Sequence, residues 1–120
     1  MAAHNEIGKK GEVLAAKFLS EKGYSVLCTN WYYGKGEIDI IAKRNETMIF
    51  VEVKTRESNA FGEPETFVTK KKQRILVKTA DAFIQSKNID LESRFDVISV
   101  ILGKNNFEIH HFEDAFYPLA

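Results

Sequence analysis

Gly36-Glu-Ile-Asp-Ile-Ile-Ala-Lys43, followed after a short turn by Met48-Ile-Phe-Val-Glu-Val-Lys54, is the stretch on which the fold turns. Both segments are short and rich in Ile and Val, and the Arg44-Asn45-Glu46 between them is turn-prone, so they predict a pair of β-strands. Side chains alternate along a strand with period two. Glu52 and Lys54 therefore share one face, and Ile49, Val51 and Val53 the other. Phe50 falls on the face of Glu52 and Lys54, which leaves the second strand apolar on both faces for most of its length. A central strand covered on both sides reads this way, and its charges belong near its end, where the cover opens. If the turn closes a hairpin, Asp39 lies on the neighbouring strand, and two acids and a lysine converge on one place of a sheet.

Such a group has a chemical use. Two carboxylates sharing a site each raise the other's pKa, and a divalent cation removes the conflict. Mg²⁺ takes oxygen ligands, commonly one or two carboxylates with substrate phosphate and water. A lysine nearby can orient the attacking water and stabilise developing negative charge. Asp39, Glu52 and Lys54 are thus a minimal kit for hydrolysing a phosphodiester. The plainer reading of Glu-x-Lys on a strand is a solvated face with a same-side ion pair. The run Ile49-Phe-Val51 weighs against it, because a solvated edge should not be apolar on both faces.

Asp39 with Glu52-Val53-Lys54 on the next strand resembles the signature of restriction-endonuclease-like nucleases. Gly36-Glu-Ile-Asp-Ile-Ile-Ala, Phe50-Val-Glu-Val-Lys-Thr-Arg56 and Arg94-Phe-Asp-Val97, in that order, resemble the YraN-like family of small bacterial proteins over nearly the whole chain. That family is similar in organisation to archaeal Holliday-junction resolvases. The resemblance implies that Asp39 and Glu52, with the Val53 carbonyl, are ligands for Mg²⁺ or Mn²⁺. It also implies that Lys54 acts on the water and that Glu12 is the extra acid of a resolvase-type site. The proline that often precedes the first acid is absent, Ile38 standing in its place.

The whole chain sets bounds. Its 120 residues suit a single domain, residues 1–120, with a modest core. Seventeen basic side chains match 17 acidic ones, so no global field draws in nucleic acid, and any contact with it must come from a local basic patch. The lone Cys28 excludes an internal disulfide and fits a reducing compartment. The N-terminus carries no apolar signal region, and no run approaches the ~20 apolar residues of a membrane span. These features point to a cytoplasmic protein.

Working outward, Asn5 is placed as the cap of a first helix running to about Lys22, with Leu14, Ala15, Phe18 and Leu19 as its apolar stripe and Gly23 as its stop. Glu12 sits on the margin of that stripe and points toward the sheet. An acid there can equally serve the helix dipole. Gly8 and Gly11 allow close backbone approach. Residues 24–33 predict a first strand whose Trp31, Tyr32 and Tyr33 end beside the basic turn Gly34-Lys35-Gly36; these aromatics suit either base stacking or packing. Glu37 shares parity with Asp39 and ranks below it as a further acid.

Beyond Arg56, residues 57–67 read as a loop suited to covering substrate. Thr69 caps a second helix to about Lys87, with Ile75, Leu76, Thr79, Ala80 and Phe83 inward. Its first turn, Lys70-Lys71-Lys72, with Arg74 beyond, has the wrong sign for a helix N-terminus. A phosphate backbone would offset that cost, so these residues and Arg56 are the expected nucleic-acid contacts. Arg94 to Leu102 predicts a strand parallel to the Glu52 strand, because a helix connects the two. Asp96 within it is expected to pair structurally, with Arg94 or a site lysine. A last strand runs from Phe107 to Phe112, with His110 and His111 as rim residues on opposite faces.

The chain thus predicts an α/β, restriction-endonuclease-like fold: a mixed five-stranded sheet flanked by helices, in the order αβββαββ. The expected function is metal-dependent hydrolysis of DNA, at branched structures. The alternatives are a non-catalytic nucleic-acid-binding module on the same fold, or an interaction subunit that recruits a partner by its sheet edge. A homodimer is compatible with the chain.

Overall fold

The computed structural model describes residues 2–57 and 67–116, with side chains from residue 6 onward. Its elements are α1 (Ala2–Glu21), β1 (Ser25–Tyr33), β2 (Gly36–Arg44), β3 (Thr47–Glu57), α2 (Lys70–Lys87), β4 (Glu92–Leu102) and β5 (Phe107–Phe116). The five strands form one sheet in sequence order. All neighbours are antiparallel except β3 and β4, which run parallel because α2 carries the chain from one end of the sheet back to the other. This is the mixed five-stranded α/β architecture that the sequence predicts.

Each helix covers one face. On the α1 side, Ala15 and Leu19 pack with Tyr24, Ile40, Ala42, Ile49, Val51, Ile98 and Val100. On the α2 side, Leu76, Ala80 and Phe83 pack with Ile38, Ile41, Met48, Phe50, Phe95 and Val97. The alternation of Phe50 and Val51 between these two clusters is what makes β3 apolar on both faces.

Several local expectations change. The first helix starts at Ala2, so Asn5 lies inside it and is not its cap. It ends as foreseen at Gly23, whose φ of 97° is a backbone conformation that glycine adopts freely. Gly11, not Gly8, is the close-approach glycine: a Cβ at Gly11 would overlap the Thr55 side chain, whereas one at Gly8 would meet open space. Gly11 thereby lets α1 lie against the end of β3 and brings Glu12 to the sheet. Thr69 caps α2 as expected, its hydroxyl accepting from Lys72 N at 3.1 Å. The strands β3 and β5 extend beyond their predicted ends, to Glu57 and Phe116. Most of the proposed loop, residues 58–66, lies outside the described residues.

His111 is not a rim residue. Its side chain is only 3 % exposed, and its Nε2 lies 2.7 Å from Asp96 Oδ2. Asp96 is fully buried and takes a bidentate pair from Arg94, at 2.9 and 2.8 Å, and the Asp114 amide hydrogen at 3.0 Å. Arg94 also donates to the Tyr24 hydroxyl at 2.7 Å. Burial works to raise the Asp96 pKa, but the bonds from His111, Arg94 and Asp114 outweigh it and hold the carboxyl below its ordinary value. Asp96 therefore pairs with Arg94, as expected for a structural role. Its network ties β4 and β5 to the end of α1.

Candidate metal centre

The acid site forms where the sheet opens. The β2–β3 ladder ends at Ile40–Val51. Ile38 and Ile41 both face α2 while Ile40 and Ala42 face α1, so the period of two fails once in this part of β2. Asp39 stands at that break. Its Oδ2 accepts the Val53 amide hydrogen at 2.8 Å, taking a place that a ladder carbonyl would fill in an unbroken pair.

Three carboxylates meet here. Glu12 of α1, Glu37 and Asp39 of β2 each offer an oxygen within 4.8 Å of the others. Asn30 of β1 holds two of them: its Nδ2 donates to Glu12 Oε1 at 2.9 Å and to Glu37 Oε2 at 2.8 Å. Asn30 has φ of 53°, a left-handed conformation that asparagine tolerates better than most residues. Tyr32, the ladder partner of Glu37, donates its hydroxyl to that carboxylate, a bond that raises the phenol pKa.

Glu52 completes the group from β3. It accepts a hydrogen bond from Asp39, and Lys72 Nζ of α2 lies 3.8 Å from its Oε2. Burial pushes the Asp39 pKa up to about 8, with the Glu52, Glu12 and Glu37 charges adding to the rise and the Val53 amide opposing it. Burial raises Glu52 as well, against the pull of Lys72 and then Lys54. Both carboxyls thus hold their protons to higher pH than free side chains do.

The structure brings Glu12, Asp39, Glu52, Val53 and Lys54 to one end of the sheet. Val53, Arg56 and Glu12 also line a cavity of about 270 Å³ with Ile7, Gly8, Thr55 and Glu57. Lys70, Lys71 and Arg74 are exposed along the start of α2, while Lys72 turns inward to Glu52. Sequence reasoning ranks Glu37 below Asp39, yet Glu37 belongs to the three-carboxylate cluster and Glu52 stands just beyond it. Asn30 and Tyr32 escape sequence reasoning as site residues. The only signal for Asn30 is an asparagine among strand-forming residues.

All the donors are hard carboxylate oxygens, with a carbonyl nearby, and burial with mutual repulsion raises the Asp39 pKa, a conflict that a bound cation would remove. That donor set fits Mg²⁺ or Mn²⁺ and not a soft metal. Among the described residues, no helix is long and apolar enough to cross a membrane.

Known proteins resemble this chain almost end to end. A UPF0102 protein of Flavobacterium psychrophilum is 51 % identical over 117 residues, covering 98 % of both chains. One from Phocaeicola vulgatus is 48 % identical over 118 residues and one from Christiangramia forsetii 47 % over 117, each again covering 98 % of both chains. The family model described as "Uncharacterised protein family UPF0102" matches residues 11–100, a span that holds Glu12, Asn30, Glu37, Asp39, Glu52 and Lys54. With the three sequence blocks that first suggested the YraN-like group, these matches establish that the chain belongs to the UPF0102 family.

Proposed function

We propose that this protein is a metal-dependent nuclease that hydrolyses DNA phosphodiester bonds, at branched structures. The observation that carries the reading is the meeting of Glu12, Glu37 and Asp39 within 4.8 Å, at the sheet break where Asp39 also binds Glu52. A solvated face of acids would not bury Asp39, half-bury Glu12 and Glu37 under one asparagine amide, and raise a carboxyl pKa well above its ordinary value.

Glu12, Glu37, Asp39 and Glu52 would hold one or two Mg²⁺ or Mn²⁺ ions, with the Val53 carbonyl as a further donor. Such an ion would neutralise negative charge on a phosphoryl oxygen and lower the pKa of a bound water. The chain's own residues do the rest. Asn30 holds Glu12 and Glu37 in one orientation. Lys54, on the strand face of Glu52, orients the attacking water and stabilises negative charge on the phosphoryl oxygens. Lys70, Lys71 and Arg74 track the phosphate backbone, which offsets the dipole cost of basic residues in the first turns of α2. Lys72, beside Glu52, and Arg56, beside Glu12 in the cavity, flank the acids with positive charge.

The test is cleavage of labelled duplex, single-stranded and four-way-junction DNA with Mg²⁺ or Mn²⁺, beside an Asp39→Asn control. Metal-dependent cutting that disappears in the control supports the proposal. Binding without cutting on every substrate would leave a nucleic-acid-binding module.

A further inference from the structure

A second recess lies on the α2 side, close to the acid site but separate from it. It is a groove of about 600 Å³ between the β1–β2 turn and α2, lined by Tyr33, Gly34, Lys35, Gly36, Ile75, Lys78 and Thr79. Its chemistry is mixed: an aromatic ring, an apolar floor and two lysines. Tyr33 is 53 % exposed although its ring is held in place. It stacks parallel to Trp31 with 6.4 Å between centroids and 4° between planes. Trp31 in turn packs edge-on against Phe83 of the core at 5.2 Å. The exposed phenol is thus held by one aromatic neighbour, Trp31, which the core ring of Phe83 holds in turn. Among the described residues neither Lys35 nor Lys78 lies within ion-pair distance of a carboxylate.

The groove also has a fixed relation to the acids. Gly36 is three residues before Asp39 on β2, about 10 Å at the rise of a strand. Lys78 is six residues beyond Lys72 on α2, about 9 Å along the helix. A strand of nucleic acid at the acid site would reach the groove within a few nucleotides. In a duplex each base face is covered by its neighbours, and only an unpaired base can lay a face on an aromatic ring.

We propose that this groove binds an unpaired nucleotide of a DNA strand, with the base stacked on Tyr33 and the adjoining phosphates held by Lys35 and Lys78. The proposal rests on the nucleic-acid reading of the acid site and narrows it: the substrate carries a single-stranded segment next to the scissile phosphate. Gly36 lets β2 approach α2 at the edge of the recess: a Cβ there would overlap the Thr79 hydroxyl and crowd Ile75.

The experiment needs no catalysis. Trp31 is the only tryptophan, so its fluorescence reports on the ring beside the groove. In EDTA, the protein is titrated with a short oligothymidylate, with a duplex of equal length and with thymidine monophosphate. Anisotropy of labelled DNA gives a second readout that does not depend on Trp31. The single strand should bind more tightly than either competitor and quench Trp31. Tyr33→Ala should weaken single-strand binding by roughly ten- to hundredfold, the range for removal of one base–aromatic stack. Tyr33→Phe should retain it, and the double variant Lys35→Ala, Lys78→Ala should weaken it and lower its salt dependence. Equal affinity for duplex and single strand, a Tyr33→Ala variant that binds like wild type, or a mononucleotide that binds as tightly as the oligomer would each overturn the proposal. The two readings fail separately. Tyr33-dependent single-strand binding in a protein that cuts no DNA keeps the groove and removes the nuclease. Metal-dependent cutting with Tyr33-independent binding does the reverse.

Discussion

Asp39 Oδ2 and the Val53 amide lie 2.8 Å apart across the point where β2 and β3 stop pairing. This one bond ties the most perturbed carboxyl of the site to the backbone of the strand that carries Glu52 and Lys54. It places the acid cluster at a break in the sheet, just beyond the buried pair Ile40 and Val51.

The first prediction concerns pH. The Asp39 pKa is about 8 in the folded chain, far above the ordinary carboxylate value near ~4. The folded state therefore binds the proton more tightly than the unfolded state. The associated stability is fully present below about pH 4 and is lost as pH rises through about 8. Raised Glu52 adds a contribution of the same sign. In EDTA, Asp39→Asn should melt several degrees above wild type near pH 8 and show a flatter pH dependence. Mn²⁺ should raise the wild-type melting temperature and leave the variant unmoved. Parallel pH profiles for the two proteins would rule out carboxyl repulsion as the source of the effect.

Asn30 offers a second test. Asn30→Gly keeps a residue that accepts the φ of 53° and deletes the amide between Glu12 and Glu37. Loss of a group that orients metal ligands typically costs about 10- to 100-fold in metal affinity or activity. Calorimetry with Mn²⁺ reads this directly. Unchanged affinity would make Asn30 a packing residue only.

Lys54 separates chemistry from structure. Lys54→Met should leave the fold and DNA binding intact while lowering the single-turnover cleavage rate by roughly a hundredfold or more. If Lys54 only steadies Glu52, whose charge it favours, the same change should lower the melting temperature and leave cutting in place. Melting temperature and cleavage rate are measured on the one variant.

The start of α2 is read through salt. Neutralising Lys70 and Lys71 should flatten the log–log dependence of duplex binding on salt by ~0.9 for each phosphate they cease to neutralise. Lys72→Gln should act differently, because its ammonium sits 3.8 Å from Glu52: it should also raise the Glu52 pKa and weaken cation binding less at high pH than at low. Identical behaviour of all three lysines would contradict the inward position of Lys72.

The Asp96 network predicts an acid limit to stability. Asp96→Asn should destabilise the protein at neutral pH by about 3–5 kcal/mol, because Arg94 loses its buried counter-charge and the bonds to His111 and the Asp114 amide are disturbed. The Asp96 pKa is depressed in the folded state, so its contribution is present above about pH 4 and is lost as pH falls through the lower folded value. Denaturant melts from neutral to acid pH should show wild type losing this increment and the variant having none to lose.

Local pattern along the chain is enough to set the element order, the parallel pairing of β3 with β4, the double burial of β3 and the nearness of Asp39 to Glu52. Each follows from a local rule: side chains alternate every two residues along a strand, a two-strand turn makes an antiparallel pair, and an intervening helix makes a parallel one. Tertiary structure alone decided that Glu37 joins Glu12 and Asp39, that Asn30 bridges them, that Lys72 turns to Glu52 and that His111 is buried on Asp96. None of these arrangements is set by spacing within one element. The acid cluster depends on where α1 crosses the sheet, which the Gly11–Thr55 approach governs, and on a single lapse of the two-residue period near Asp39; the other two contacts depend on how α2 lies over β3 and how β5 pairs with β4. Packing chooses that lapse because it buries Ile38 and Ile41 against α2 and Ile40 against α1, and a pattern read along one strand carries no record of which cover each side chain meets.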